Sequence, residues 1–368
     1  MPPFAELKNV LNLGRLYLSL SWSRLLRRGP GQVAIVHLAM TDRCNSRCAA
    51  CDIWQPRWAA GAELTMREIL GLIPALKRLK TRIVSLGGGE PTLRDDLEEC
   101  IRALHEAGMA VHMNTNGLAV TAQRAASLVN AGLGLVRISC DHVTPEGYKA
   151  IRGVDGYDRA VEAMRFFRQG PRPLCVGVNV VVTRLNQDVI EAFADRAAAW
   201  GVQKLQFIPV HAHLQHRNMD AATFEPLTPL TADLPAIKDA LRRATRRLRA
   251  AGIETNSRYH IEHFDAAYQP RRVVPCVSGR LSVIVSAFGE VQPCYQYPTG
   301  LNVRDMPLDR IVHSEGFRGA CGCVSRCRLP CWDVGPAEPS IRLHLPHLLA
   351  HPLRTWRDAR LAASTPRR

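Results

Sequence analysis

Cys44, Cys48 and Cys51 stand in the run Asp42-Arg43-Cys44-Asn45-Ser46-Arg47-Cys48-Ala49-Ala50-Cys51, a C-x3-C-x2-C loop. Three thiolates on one short loop can ligate three of the four irons of a cubane iron–sulfur cluster. The fourth iron then lacks a protein ligand, so it can bind a small molecule and pass it an electron. A zinc knuckle or three unrelated thiols is the competing account, but zinc sites want four ligands, usually in paired C-x2-C units. The loop follows Val33-Ala34-Ile35-Val36-His37-Leu38-Ala39, a β-branched apolar run that reads as a strand. In a βα barrel such a loop sits at the mouth, where these folds build active sites.

A second group of thiols lies far along the chain: Cys276, Cys294, Cys321, Cys323, Cys327 and Cys331. Gly289-Glu290-Val291-Gln292-Pro293-Cys294 follows a hairpin-like run from Leu281 to Phe288. Six thiolates can hold one full cluster with two left over, or two clusters of three ligands each. A zinc site stapling a loop-rich region is the alternative. Cys100, Cys140 and Cys175 lie inside apolar helix or strand patterns and are expected to be buried structural thiols. His211, His213 and His216 follow the sixth strand and are read as a substrate-facing loop.

The elements that must position these groups follow a simple alternation. Strands are expected near 33–39, 82–87, 109–114, 134–139, 174–182 and 203–210, with helices near 65–80, 94–107, 121–131, 145–169 and 187–200. Near-continuous apolar strands with helical crossovers mean a parallel sheet. Glycines end the second strand in Ser85-Leu86-Gly87-Gly88-Gly89-Glu90-Pro91, where they allow close backbone approach to a ligand. Asn114-Thr115-Asn116-Gly117 ends the third strand, Ser139-Cys140-Asp141-His142 the fourth, and Ile151-Arg152-Gly153 lies beyond it. Asn179 is a polar residue in the otherwise apolar fifth strand, suited to a ligand contact or to a satisfied interior amide.

The chain has 368 residues and a net charge of +15, from 48 basic and 33 acidic side chains. Part of the excess lies in Arg242, Arg243, Arg246, Arg247 and Arg249, read as a solvated helix face. Residues 4–28 read as a basic amphipathic helix, docked on the barrel or lying on an anionic membrane surface. No run of eighteen apolar residues exists, so no membrane span is expected. The opening Met1-Pro2-Pro3-Phe4 lacks the order of a secretory leader. Free thiols suit a reducing cytoplasm, with peripheral membrane contact as a further expectation. No basic strand interleaved with aromatics supports nucleic-acid binding.

The cysteine loop, the Gly88-Gly89-Glu90-Pro91 segment and the turns that follow, in this order, resemble the radical S-adenosylmethionine (SAM) superfamily. The resemblance covers roughly residues 32–335 and implies an α/β fold, a partial (β/α)6 barrel with a small Cys-rich C-terminal extension. Its implied parts are an N-terminal helix at 1–31, the barrel at 32–232, a connecting helical region at 233–275, an auxiliary domain at 276–335 and a loosely structured basic tail at 336–368. The extension resembles SPASM and Twitch domains, although its C-x-C-x3-C-x3-C spacing departs from the usual SPASM pattern and nothing follows Cys331. Cys44, Cys48 and Cys51 are implied ligands of the SAM-binding [4Fe-4S] cluster. Gly88, Gly89, Glu90, Pro91, Ser139, Arg152 and Asn179 are implied SAM contacts, and the six later cysteines hold at least one auxiliary cluster. Ser139 and Asp141 match a family Ser-x-Asp-Gly segment, while His142 departs at its glycine. The implied activity is reductive cleavage of SAM to a 5′-deoxyadenosyl radical that abstracts hydrogen from substrate. A small molecule or lipid is the first expectation for that substrate. A ribosomally made peptide is the alternative, and a non-catalytic electron carrier is a reading of another class. A reductant such as flavodoxin or ferredoxin is the implied partner.

Overall fold

The computed structural model describes residues 32–55, 62–211, 224–344 and 346. The expected amphipathic helix at 4–28, His213, His216 and the end of the chain lie outside the described residues. Six strand–helix units come first: β1 (Ile35–Thr41), α1 (Met66–Leu70), α2 (Ile73–Arg78), β2 (Ile83–Gly88), α3 (Leu97–Glu106), β3 (Ala110–Thr115), α4 (Ala122–Ala131), β4 (Leu133–Ser139), α5 (Pro145–Arg152), α6 (Tyr157–Arg168), β5 (Cys175–Val182), α7 (Ala192–Trp200) and β6 (Lys204–Pro209). A connecting region carries α8 (Leu234–Ala250) and α9 (Arg258–Glu262), and the extension adds β7 (Ser282–Val285), β8 (Val291–Gln292), α10 (Leu308–His313), α11 (Glu315–Arg326) and α12 (Val334–Arg342).

The strands form one open sheet of eight in the order β6-β5-β4-β3-β2-β1-β7-β8. All neighbours are parallel except β7 and β8, a hairpin whose first strand pairs in parallel with β1. The cysteine-rich extension therefore shares a sheet with the barrel strands. Strand alternation divides the sheet into two faces. Val36, Leu38, Val84, Leu86, Val111, Met113, Val136, Ile138, Val178, Leu205 and Phe207 are buried in the core beneath the helices. His37, Ser85, His112, Asn114, Arg137, Asn179 and Lys204, offset by one residue, lie on the opposite, concave face. The helices carry matching stripes: Leu97, Cys100, Ile101 and Leu104 of α3 are all buried, at helical spacing. Cys100, Cys140 and Cys175 are buried, as the apolar patterns implied.

Two expected helices are each split. The segment 65–80 breaks after α1, whose capping box joins Thr65 and Glu68; Pro74, lacking an N–H, sits in the first turn of α2. The segment 145–169 breaks at Gly153, which caps α5 with φ of +67°. The expectation of a loose tail from residue 336 is corrected for its first part. Asp333 caps α12 by accepting from Gly335 N–H, and Ala337 and Ile341 pack in a cluster with Val274 and Trp332. Buried Glu338 of that helix accepts from Ser257 N–H at 2.7 Å.

The arginine run of α8 does lie on an outer face. Leu234, Ile237, Leu241 and Leu248 point inward, while Arg242 pairs with Glu262 at 2.6 Å, Arg243 with Glu191 at 2.9 Å, and Arg247 with Asp195. Exposed pairs of this kind contribute little to stability. Beyond α8 the chain returns to cover the free edge of β6. Asn256 accepts from Phe207 N–H at 2.8 Å and donates to Phe207 carbonyl at 3.0 Å. Replacing it with alanine leaves both groups of a buried strand unsatisfied. N256A is expected to cost about 1–3 kcal/mol, read as a lower denaturation midpoint, while R247A leaves that midpoint nearly unchanged.

Candidate active site at the mouth of the sheet

The cysteine loop leaves β1 at Thr41 and is held from both sides by backbone. From β2, Gly89 N–H donates to Thr41 carbonyl at 2.7 Å and Glu90 N–H to Arg43 carbonyl at 2.8 Å. From the end of α5, the carbonyls of Arg152 and Ile151 accept from Arg47 N–H at 3.1 Å and Ala49 N–H at 2.9 Å. Such approach leaves no room for side chains. A Cβ on Gly89 would stand 2.2 Å from Arg43 carbonyl oxygen, one on Gly88 2.4 Å from that of Thr41, and one on Gly153 2.2 Å from that of Arg47. The glycines read from sequence as ligand-facing therefore also fit the loop itself against the sheet.

Glu90 is buried, only 1% exposed, and its carboxylate accepts from Thr92 N–H at 3.1 Å, Thr92 hydroxyl at 2.6 Å, Thr115 hydroxyl at 2.7 Å and Asn116 N–H at 2.7 Å. Burial pushes its pKa up, against the pull of these donors. Asn116, so fixed, donates to Asn45 Oδ1 at 2.7 Å and to Ser46 hydroxyl at 3.2 Å inside the cysteine loop. Glu90 thus wires the ends of β2 and β3 to the loop. Pro91 opens the short 3-10 turn that follows and is buried.

Arg152 turns Nη1 to Cys48 sulfur at 3.5 Å and pairs through Nε with Asp141 at 2.6 Å. Asp141 also accepts from Val181 N–H at 2.7 Å, tying β5 into the same network. The resemblance implied that Arg152 is a SAM contact; here its guanidinium is shared between a thiol and an internal carboxylate. Ser139 and Asn179 are register partners on β4 and β5. Asn179 donates to Asn114 Oδ1 at 3.3 Å, and its own Oδ1 is buried without a hydrogen-bond partner. These three polar groups face the concavity beside the loop.

The loop fits a three-thiolate cluster. Burial raises the Cys44 and Cys51 thiols, Cys51 to about 12; Cys48 raises Cys44 further, and Cys48 and Cys44 raise Cys51 further. The three sulfurs are therefore close enough to feel one another. Arg152 at Cys48 and Ser46 N–H, 3.5 Å from Cys44 sulfur, supply positive charge and a donor to ligated thiolates. Metal binding would displace the thiol protons. The orphaned Asn179 oxygen and the glycine-lined strand ends offer polar contacts for an adjoining ligand. Among the described residues, no three His, Cys, Asp or Glu side chains are gathered for one ion.

Cys321 stands apart from the other later cysteines. Cys294 and Cys331 are raised by burial, to about 12 for Cys294, and both feel Cys276; Cys294 also feels Cys327. Tyr297 hydrogen-bonds Cys327. Cys276, Cys294 and Cys331 thus lie within electrostatic reach of one another, and Cys327 within reach of Cys294. Cys321 does not join them: its sulfur lies 3.5 Å from Gly279 carbonyl, packed in the core, and its charged neighbour is Arg280. Cys323 is exposed and, like Cys327 and Cys294, lies within electrostatic reach of Tyr297. Sequence spacing could not set Cys321 apart, because its separation follows from its packing against Gly279 in the core.

A parallel sheet that sets a three-cysteine loop against glycine-rich strand ends is the framework of an iron–sulfur enzyme with an adjoining organic cofactor. The family model of the radical SAM superfamily matches residues 38–197. A probable GTP 3′,8-cyclase of Thermococcus kodakarensis is 33% identical over 220 residues, covering 58% of this chain and 70% of that protein. The PqqA peptide cyclase of Streptomyces rochei is 27% identical over 284 residues, covering 77% of this chain and 74% of its own. Mycofactocin maturase MftC of Mycobacterium ulcerans is 26% identical over 309 residues, covering 79% and 81%. The crystal structure of Streptococcus suis SuiB bound to precursor peptide SuiA superposes with a TM-score of 0.63 at 15% identity, covering 90% of this chain and 76% of that one. The chain belongs to the radical SAM superfamily and is an enzyme of that class. A [4Fe-4S] cluster and SAM are accordingly its cofactors, alongside an auxiliary iron–sulfur cluster.

Gly89 carries the clearest test of the loop's seating. G89A is expected to lose about four irons per chain after anaerobic reconstitution and to lose SAM binding by calorimetry. Gly108 has φ of +87°, but a Cβ there would meet nothing within 4 Å, so G108N should retain both. Full loading of G89A would show that the close approach does not govern the loop.

Proposed function

We propose that this chain is a peptide maturase: a radical SAM enzyme that modifies a ribosomally made peptide, with an auxiliary cluster assisting. The observation that carries this reading is the extent of similarity. The match to the PqqA peptide cyclase spans 77% of the chain and that to MftC 79%, against 58% for the GTP 3′,8-cyclase. Two proteins named for peptide or maturation chemistry thus share most of the chain. The expectation of a small-molecule or lipid substrate gives way to the peptide alternative. No described helix is long and apolar enough to cross a membrane. Membrane contact keeps no support beyond the charge pattern of residues 1–31.

When bound, the cluster and SAM supply one-electron cleavage of a carbon–sulfur bond and hydrogen abstraction from substrate. Cys44, Cys48 and Cys51 hold the cluster, with Arg152 keeping positive charge at the Cys48 sulfur. The ends of β2 and β3, with Gly88, Gly89, Glu90 and Pro91, fix the loop and line one side of the SAM pocket. Ser139 and Asn179 present hydroxyl and amide groups from β4 and β5. Cys276, Cys294, Cys327 and Cys331 hold the auxiliary cluster, leaving Cys321 outside it. A flavodoxin or ferredoxin is the electron donor. The protein's own work is orientation and exclusion of water.

Anaerobic incubation with dithionite, SAM and a short peptide encoded beside this chain's gene is expected to yield 5′-deoxyadenosine and a mass change in the peptide. GTP in place of peptide should yield neither a product nor faster SAM cleavage. An unchanged peptide with consumption of GTP would reverse the proposal. Iron counting tests the thiol assignment separately. C44A/C48A/C51A should lose about four irons, C294S about four others, and C321S none.

A further inference from the structure

The concave face of the sheet carries a layer of basic side chains that the SAM site does not use. His37 of β1 pairs in register with Ser85, and Ser85 with His112 of β3. Arg137 of β4 pairs in register with Asn114 and Gly177, and Gly177 with Lys204 of β6. Gly177 has no side chain, and a Cβ there would stand 3.2 Å from Lys204 Cβ and 3.5 Å from Arg137 Cγ. The two long basic side chains therefore share one row across β4, β5 and β6. Arg137 lies two residues before Ser139, so this layer sits about 6.6 Å beneath the polar groups at the mouth.

Charge balance singles out one member. Lys204 is neutralised by Glu254 at 2.7 Å, both largely buried. Burial holds His37 down to about 4 and His112 to about 3, with the Arg137 charge adding to both. These imidazoles are neutral at neutral pH and act as hydrogen-bonding walls. Arg137 is half-buried, its Nε is buried without a hydrogen-bond partner, and no ion pair links it to a carboxylate among the described residues. Guanidinium keeps its proton in proteins. The Glu254 carboxylate also bears on Arg137 without pairing with it, so two cations share one anion and a net positive charge remains, which is costly away from water. A single negative charge on a planar group compensates it best, because the guanidinium fork matches a carboxylate with two parallel hydrogen bonds.

We propose that Arg137 anchors a carboxylate of the substrate on the floor of the sheet, between the His112 and Lys204 side chains and one layer beneath the SAM site. In the peptide reading above, on which the identity of the substrate rests, that carboxylate is an acidic side chain or the peptide's C-terminus. Gly177 is the positioning residue, since a Cβ there would crowd the Lys204 side chain that shares its row with Arg137.

The test uses the reconstituted holoprotein with SAM and anaerobic equilibrium dialysis of four probes. N-acetylglutamate α-amide carries a side-chain carboxylate, N-acetylalanine a terminal one, N-acetylglutamine α-amide neither, and methyl phosphate a different anion. At least one carboxylate is expected to bind about tenfold or more tightly than the neutral amide, and more tightly than methyl phosphate. R137M should abolish the preference, R137K should keep part of it, and G177V should weaken it by crowding the Lys204 side chain. Equal binding of acid and amide by the unaltered protein, including binding of neither at millimolar concentration, overturns the proposal without any variant. So does a preference that survives R137M, or tighter binding of methyl phosphate. A chain that shows the acid preference but modifies no peptide loses the maturase reading and keeps the anchor. A chain that modifies a peptide without carboxylates equally well keeps the first and loses the second.

Discussion

Backbone packed on backbone, at three glycines, is the constraint from which the rest of the site follows. A cysteine loop has no regular structure of its own, so its shape must be imposed. Gly88 and Gly89 on one side and Gly153 on the other let strand and helix ends approach the loop until their N–H and carbonyl groups bond to it directly. Any Cβ at these positions would meet a carbonyl oxygen at 2.2–2.4 Å. Four backbone hydrogen bonds then place three sulfurs with the precision of the sheet rather than of a loop.

Around that frame lies a polar network with few loose ends. Glu90 joins β2 to β3, Asn116 carries the connection into the loop, and Asp141 joins β4, β5 and Arg152. These carboxylates are buried, so each must be compensated inside the protein. Glu90 is compensated by four donors and Asp141 by a guanidinium, which also sits at a cysteine sulfur. Structural rigidity and the electrostatics of the thiols are therefore set by the same groups.

The extension is continuous with the barrel. The pairing of β7 with β1 places the first strand of the extension beside the strand that feeds the first cysteine loop. Arg304 of the extension reinforces the junction by pairing with Glu68 of α1 at 2.6 Å. The concave face, by contrast, is lined by polar and basic side chains, and its basic floor faces whatever enters from the mouth.

Much of this was legible in the chain. The spacing of Cys44, Cys48 and Cys51, the glycine segment after the second strand, and six alternating units are local patterns, and local patterns follow from periods of two and 3.6 residues. The two helices expected at 65–80 and 145–169 proved split, at positions where Pro74 opens a new first turn and Gly153 takes a positive φ. What sequence left open depends on contacts between distant positions. Arg152 meets Asp141 and Cys48 only because α5 ends beside the loop. Cys321 separates from the other later cysteines only once α11 is wound and its buried face is turned to Gly279. The helix at 334–342 forms in a Pro- and polar-rich stretch because Glu338 and Ile341 find buried partners in the connecting region. Only the parallel register, with Gly177 between them, brought Arg137 and Lys204 into one row where they share the charge of a single carboxylate. Sequence determined which groups can ligate and which elements carry them; tertiary structure decided which charges are paired, because pairing is a property of space and not of spacing.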